Sequence, residues 1–402
     1  MAVSLHPSDS SAPSRAELLG RAEELVPVLR ERADATEELR RLPDETEKAF
    51  HDSGLFRMLQ PERVGGSELD YDILVDAGAM IARGCASSAW NLTNLASHHW
   101  MMAMFPKQAQ DEVWTANPDT LIASSFIFPA GRARRAPGGY VITGKWPFSS
   151  GVDNSDWNML AGVVSEEDPE EPHEYRVFLL HKNDYEIIDT WFAAGLRGTG
   201  SKDVKASEVF VPEHRTLAVA DTKGGATPGS AANPAVVYRL PVFALFPFVL
   251  SGVALGIAEG IVGDYVDAAR SRVTNYTGAK VGDFQAVQIK VAEASAAAQG
   301  ARLMMQNCCA EATAMVAEGT VPDIERKVSY RRDGAFSVGL CTKAVDLIAG
   351  VSGAGGLYNR NPVQRAFRDV HAVNAHIAFN MDMAGTAYGR VAMGHSPDNP
   401  TL

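Results

Sequence analysis

Apolar positions along the chain change their spacing twice. From Ser14 to about Asn117 the spacing is helical: Leu18, Leu19, Ala22, Leu25, Val26 and Leu29 recur on one face, with charged residues between them. Asp44 to Leu55 repeats the pattern, and Leu74 to Ala96 predicts one longer, more apolar helix. Asn117-Pro-Asp119 breaks the run. From about Thr120 to Pro212 the pattern is that of strands. Gly138-Gly139 marks a turn before Tyr140-Val-Ile-Thr-Gly-Lys-Trp146, and Arg176-Val-Phe-Leu-Leu-His181 and Val209-Phe-Val211 are further short apolar runs. Thr222 to Pro234 has the composition of a loop. From Val236 onward four long helical stretches are predicted, at about 248–272, 283–317, 324–349 and 362–391. The chain thus divides into a helical domain (1–118), a β domain (119–235) and a helical bundle (236–402), an α+β architecture.

Composition narrows the function. Of 402 residues, 46% are hydrophobic and 21% charged, enough to bury a large core. A net charge of -12 argues against a nucleic-acid surface, which needs clustered Lys and Arg; Arg132-Ala-Arg134-Arg135 is too short to supply one. Cys85, Cys308, Cys309 and Cys341 have no paired spacing and read as reduced core thiols of a cytoplasmic protein. Met1 to Ser14 is polar, without the apolar stretch of a secretory signal. Leu240 to Ala258 is the nearest approach to a membrane span, but Pro241, Pro247, Gly252 and Gly256 interrupt it. No histidine, carboxylate or cysteine cluster has metal-ligand spacing, and no Gly-x-Gly-x-x-Gly follows a strand to bind NAD(P)H.

Two residues stand out as candidates for hydrogen-bond or proton chemistry. In a regular strand Tyr140, Ile142, Gly144, Trp146, Phe148 and Ser150 share one face, so Ser150 would end an aromatic wall beside Gly151. Pro147 threatens that parity and makes Ser149 the rival. His376 falls in the predicted last helix, with Ala372, Phe379, Asn380 and Met383 on its side. A turn cap for Ser150 and a structural hydrogen bond for His376 are the plainer roles open to them. Trp90 and His98, eight residues apart, would lie about two turns apart on one helix face.

The order of domains resembles the acyl-CoA dehydrogenase fold over nearly the whole chain. Its marks are Leu196-Arg-Gly-Thr-Gly-Ser-Lys-Asp203, Val253-Ala-Leu-Gly-Ile-Ala258, Gly282-Asp-Phe-Gln-Ala-Val-Gln288 and Arg365-Ala-Phe-Arg-Asp369. The resemblance implies an N-terminal α domain, a small central β-barrel domain, a C-terminal four-helix bundle and a homotetramer. The dehydrogenases need a carboxylate to take the α-proton of a thioester. Neither of their places for it holds one here: His371 to Asn380 and Leu240 to Pro247 have no Asp or Glu.

What remains resembles the two-component flavin monooxygenases of this fold, through Cys85-Ala-Ser-Ser-Ala-Trp90, His98-His-Trp100, Trp146-Pro-Phe-Ser-Ser-Gly151, and Arg368-Asp369 with His376. The oxygenase component for 4-hydroxyphenylacetate is one of them. The resemblance implies hydroxylation of a phenolic or indolic small molecule with O₂ through a flavin C4a-hydroperoxide. It makes Ser150, His376 and His98 candidates for catalysis, and Trp90, Ser125, Ile127 and Ser150 candidates for holding flavin. Reduced flavin would come from a separate NAD(P)H:flavin reductase. Thr274-Asn-Tyr-Thr-Gly278 lacks the arginine that meets the FAD pyrophosphate in dehydrogenases, which favours FMNH₂ over FADH₂. Trp90, Trp100, Trp146 and Phe148 suggest a flat substrate. Oxidation of nitrogen or sulfur, a dehydrogenase with an unrecognised base, and an inactive scaffold are the alternatives.

Overall fold

A computed structural model describes residues 12–165 and 173–402. The polar leader therefore lies, from residue 1 to 11, outside the described residues. Five helices come first: α1 (Arg15–Leu39), α2 (Asp44–Asp52), α3 (Ile73–Ala82), α4 (Ala86–Met102) and α5 (Lys107–Trp114). Ser14 starts α1 with a reciprocal capping box to Glu17. The single helix expected from Leu74 to Ala96 is two, α3 and α4, split at Gly84. A side chain at Gly84 would collide with the Val26 carbonyl, so the chain turns where α1 crosses closely. All seventeen residues of α4 are buried, including Ser87, Asn91, Asn94, His98 and His99. A buried helix this polar needs partners for those groups, and Asn94 among them lines the site below.

Eight strands follow: β1 (Ile122–Ser125), β2 (Gly131–Ala136), β3 (Gly139–Ser149), β4 (Trp157–Ser165), β5 (Glu174–His181), β6 (Glu186–Ile188), β7 (Lys202–Pro212) and β8 (Thr216–Ala218). They form one mixed sheet in the order β6-β7-β3-β2-β4-β5-β8, with β1 parallel to β4. The sheet wraps its own small core of Tyr140, Ile142, Trp146, Leu160, Phe178 and Val204, separate from the main core. The period-2 face of β3 holds through Trp146. Between Trp146 and Ser149 the pairing with β7 shifts, and Phe148 takes a left-handed φ of 63°. Pro147 has no N–H for the ladder, so the strand bulges there and re-aims the two serines.

The bundle comprises α6 (Val242–Leu245), α7 (Pro247–Ala269), α8 (Gln285–Ala317), α9 (Ile324–Ser352), α10 (Pro362–Asn374) and α11 (Met381–Ala392). The last long helix expected at 362–391 is broken between α10 and α11. His376 accepts the Ala378 N–H and Asn380 accepts the Met383 N–H, so two side chains replace backbone bonds at the break. Val242–Ala269 is long and apolar enough to cross a membrane by composition, yet 89% of its apolar window is buried inside the protein. It is the central core helix, packed on α3 and α9.

The β domain and the bundle meet closely. Asp369 on α10 accepts the Leu196 N–H at 2.7 Å, and Arg368 donates to the Ala194 carbonyl at 2.7 Å. Any side chain at Gly195 would strike the Arg368 carbonyl. Burial pushes the Asp369 carboxyl up to about 6, although the Leu196 N–H pulls it down.

Candidate active site

A cavity of about 580 Å³ opens where the three parts of the chain meet. That size lies within the ~300–1,000 Å³ of ligand sites. The N-terminal helices supply Trp90 and Asn94 from α4. The sheet supplies Ser125 and Ile127 around the end of β1, Phe148 and Ser150 from the bulge, and Thr199 and Ser201 before β7. The bundle supplies Phe246, Leu250 and His376. The lining is predominantly apolar. Among the described residues it includes no Asp, Glu, Lys or Arg, and His376 is its only ordinary titratable group.

The bulge decides between the two serines. Ser149 points into the sheet, where its Oγ accepts from Asn158 Nδ2 at 2.9 Å. Ser150 borders the cavity. Its Oγ accepts from Trp90 Nε1 at 3.0 Å and lies 2.7 Å from Ser201 Oγ. Ser201 Oγ is in turn 2.6 Å from Thr199 Oγ1, which donates to the Leu196 carbonyl at 3.0 Å. Gly151 permits this placement. Its φ is 71°, its N–H donates to the Thr199 carbonyl, and an added Cβ would sit 3.1 Å from Asn91 and Leu95. Ser125 Oγ donates to the Pro147 carbonyl at 2.7 Å and fixes the bulge from the other side.

His376 lies across Trp90 from Ser150. Its ring meets Trp90 edge-on at 5.6 Å and stacks on Phe246 at 6.0 Å. It is partly exposed, but to a cavity of apolar walls, and desolvation lowers its pKa to about 4. The imidazole is therefore neutral near pH 7. Because Nδ1 accepts the Ala378 N–H, the proton of the neutral ring sits on Nε2. His376 thus offers a donor rather than a base. The same desolvation makes the ring a weaker proton acceptor than a free imidazole.

His98 does not share the cavity wall with Trp90. It is buried one layer behind, where Nδ1–H donates to the Ile122 carbonyl at 2.5 Å and its ring meets the edge of Phe126. Asn94, one turn beyond Trp90, takes the wall position instead. Burial lowers the His98 pKa to about 4. Trp100 and Trp146 are also away from the cavity, donating to the carbonyls of Val237 and Ala161 within the two cores. The aromatic wall comes from Trp90, Phe126, Phe148, Trp191 and Phe246. Sequence reasoning missed Phe126, Trp191, Phe246, Thr199 and Ser201. The hydroxyls of Thr199 and Ser201, each directly after a glycine in a motif already noted, were the available signal.

Flat apolar walls with a hydroxyl on one side and an N–H on the other fit an isoalloxazine ring together with an aromatic molecule. Among the described residues no group of three or more His, Cys, Asp or Glu is placed to hold a metal ion.

Comparison with known proteins identifies the family. Residues 21–117 match the acyl-CoA dehydrogenase N-terminal domain and 248–381 the acyl-CoA dehydrogenase C-terminal domain. The oxygenase subunit HsaA of a flavin-dependent monooxygenase from Rhodococcus jostii is 36% identical over 93% of this chain and 97% of its own. The oxygenase component of the FADH₂-dependent resorcinol hydroxylase of a Rhizobium species is 34% identical over 97% of both chains. The crystal structure of 3-HSA hydroxylase from a Rhodococcus species superposes with a TM-score of 0.91 at 35% identity, covering 96% of this chain and 99% of that one. The chain belongs to the oxygenase subunits of flavin-dependent monooxygenases built on acyl-CoA dehydrogenase domains. It is an enzyme that uses reduced flavin, and two of its relatives are named as hydroxylases of resorcinol and of p-hydroxyphenylacetate.

Proposed function

We propose that this oxygenase hydroxylates a phenolic or indolic small molecule, using O₂ and reduced flavin delivered by a separate NAD(P)H:flavin reductase. The observation that carries the reading is the cavity lining: aromatic walls, Ser150 and His376, and no carboxylate among the described residues. Thioester dehydrogenation would need a base that this lining lacks. Bound reduced flavin would supply the electrons and the activated oxygen. Ser150, Trp90, Ser125 and Ile127 would hold its ring. The apolar walls would exclude water, and so favour oxygen transfer over release of hydrogen peroxide. His376 would orient the substrate or steady developing negative charge on oxygen by donating from Nε2. His98 would act at one remove, fixing β1 and the Phe126 face of the wall.

The preference for FMN rests on Thr274–Gly278, which offers no arginine to a pyrophosphate; the resorcinol relative is FADH₂-dependent by name, so both flavins belong in the test. Four buried free cysteines are consistent with a cytoplasmic enzyme. A homotetramer would cover the exposed apolar side chains of α8 and α9.

The test supplies FMNH₂ or FADH₂ aerobically with a panel of phenols, indoles and aromatic acids, measuring hydroxylated product and hydrogen peroxide together. Substrate-dependent product is expected, and Ser150→Ala should divert turnover to peroxide. Flavin reoxidation at its free rate without product across the panel would overturn the reading. Bleaching of oxidised flavin by an acyl-CoA under anaerobic conditions would revive dehydrogenation.

A further inference from the structure

We propose that the hydroxyls of Thr199 and Ser201 are positioning groups that fix the direction of the Ser150 proton, so that Ser150 meets a cavity ligand only as a hydrogen-bond acceptor. The proposal rests on the reading of Ser150 as a residue that holds reduced flavin, and adds that the flavin group it would meet is N5.

A count of protons along the chain sets the direction. The Leu196 carbonyl oxygen can only accept. It takes Trp191 Nε1 at 3.1 Å, the Thr199 N–H at 3.2 Å and, nearest, Thr199 Oγ1 at 3.0 Å. Two oxygens that close need a proton between them, so Thr199 donates its one hydroxyl proton there. Thr199 Oγ1 must then accept from Ser201 Oγ at 2.6 Å. With its own proton spent, Ser201 Oγ accepts from Ser150 Oγ at 2.7 Å. Trp90 Nε1, a donor only, occupies one of the two Ser150 lone pairs. One lone pair is left, on a hydroxyl that borders the cavity. Reversing the chain would set Thr199 Oγ1 against the Leu196 carbonyl at 3.0 Å with no proton between them. Thr199, Ser201 and Ser150 are nearly fully buried beside a cavity of predominantly apolar walls, where such an opposition costs more than it would in open water.

The direction has a consequence for redox state. N5 of reduced flavin carries a hydrogen and donates, whereas N5 of oxidised flavin carries a lone pair and accepts. An acceptor-only Ser150 bonds the first and opposes the second. The hydroxyl chain therefore favours uptake of reduced flavin and release of oxidised flavin, which an enzyme fed by a separate reductase needs in each cycle.

The test measures dissociation constants of the full chain for reduced flavin, anaerobically, and for oxidised flavin, each as FMN and FAD. Removing a link frees the Ser150 proton to turn toward the cavity. The ratio of oxidised to reduced dissociation constants should therefore fall about three- to ten-fold in Thr199→Val and in Ser201→Ala, the range of one hydrogen bond. Thr199→Ser keeps the hydroxyl and should keep the wild-type ratio. If Ser150→Ala collapses the ratio while Thr199→Val and Ser201→Ala leave it unchanged, the polarity proposal fails and the reading of Ser150 stands. If Ser150→Ala itself leaves the ratio unchanged, the reading of Ser150 fails and the proposal goes with it.

Discussion

Ser150 and His376 show how neighbouring groups set what a side chain can do. A serine hydroxyl is free to donate or accept until its partners use its proton, and a neutral histidine has one donor nitrogen fixed by whatever binds the other. Buried titratable groups also tie the fold to pH. Desolvation lowers the pKa of His98 to about 4 and of His99 to about 3, the latter aided by Arg57. The sign follows: the unfolded chain takes up these protons near pH 6.5, the folded one only near 3–4. Stability is therefore intact above about 6.5 and is lost as pH falls toward 4, by up to about 1.4 kcal/mol per pH unit for each histidine. Asp369 opposes this trend. Its folded pKa is raised, so its contribution is full below about 3.8 and is lost as pH rises through about 6. Thermal unfolding between pH 7.5 and 4.5 should show a falling midpoint, and His99→Gln should make the fall shallower. Asp369→Asn keeps an acceptor for Leu196 without the buried charge. Its stability relative to wild type should rise between pH 5 and 7.5, by about 1.4 kcal/mol.

Helices and strands were the most legible level of the sequence, because periodicity reports burial along α1, α7, α8 and β3 directly. The breaks were less legible. Gly84 ends α3 because α1 passes too close for a side chain, a contact between residues far apart in sequence. His376 reads as a helix residue because Ala372, Phe379 and Asn380 keep helical spacing, yet capping by His376 and Asn380 outcompetes two backbone bonds. The Pro147 bulge was foreseeable as a loss of register, but not which serine it would aim at the cavity. His98 has the right spacing to share a face with Trp90, and only the packing of Phe126 against it shows that it lies a layer behind. The turn after the bulge gives a direct test. Gly151→Ala must adopt a φ of 71° and press on Asn91 and Leu95. It should lower unfolding stability by about 1–3 kcal/mol and raise peroxide release along with it.

At the scale of the molecule, the cavity depends on how three separately built parts are held together. Arg368 reaches both the Ala194 carbonyl and Glu37 on α1, joining bundle, β domain and N-terminal helices. Arg368→Ala should weaken flavin binding while far-UV circular dichroism stays unchanged, since it removes a tie between parts rather than an element. On the outer face of the bundle Ile289, Leu303 and Phe336 are exposed by 49%, 60% and 49%. If copies assemble there, light scattering should report four chains, and Leu303→Asp with Phe336→Asp should yield smaller species. The three-way junction also bears on synthesis. Trp90 and Ser150 are made well before His376, which follows Ser150 by 376 − 150 = 226 residues. At about 5–20 residues per second, an unfinished chain spends tens of seconds without a closed wall. A chain stopped before His376 presents only part of the cavity wall, so the wall is complete only after His376 has been made.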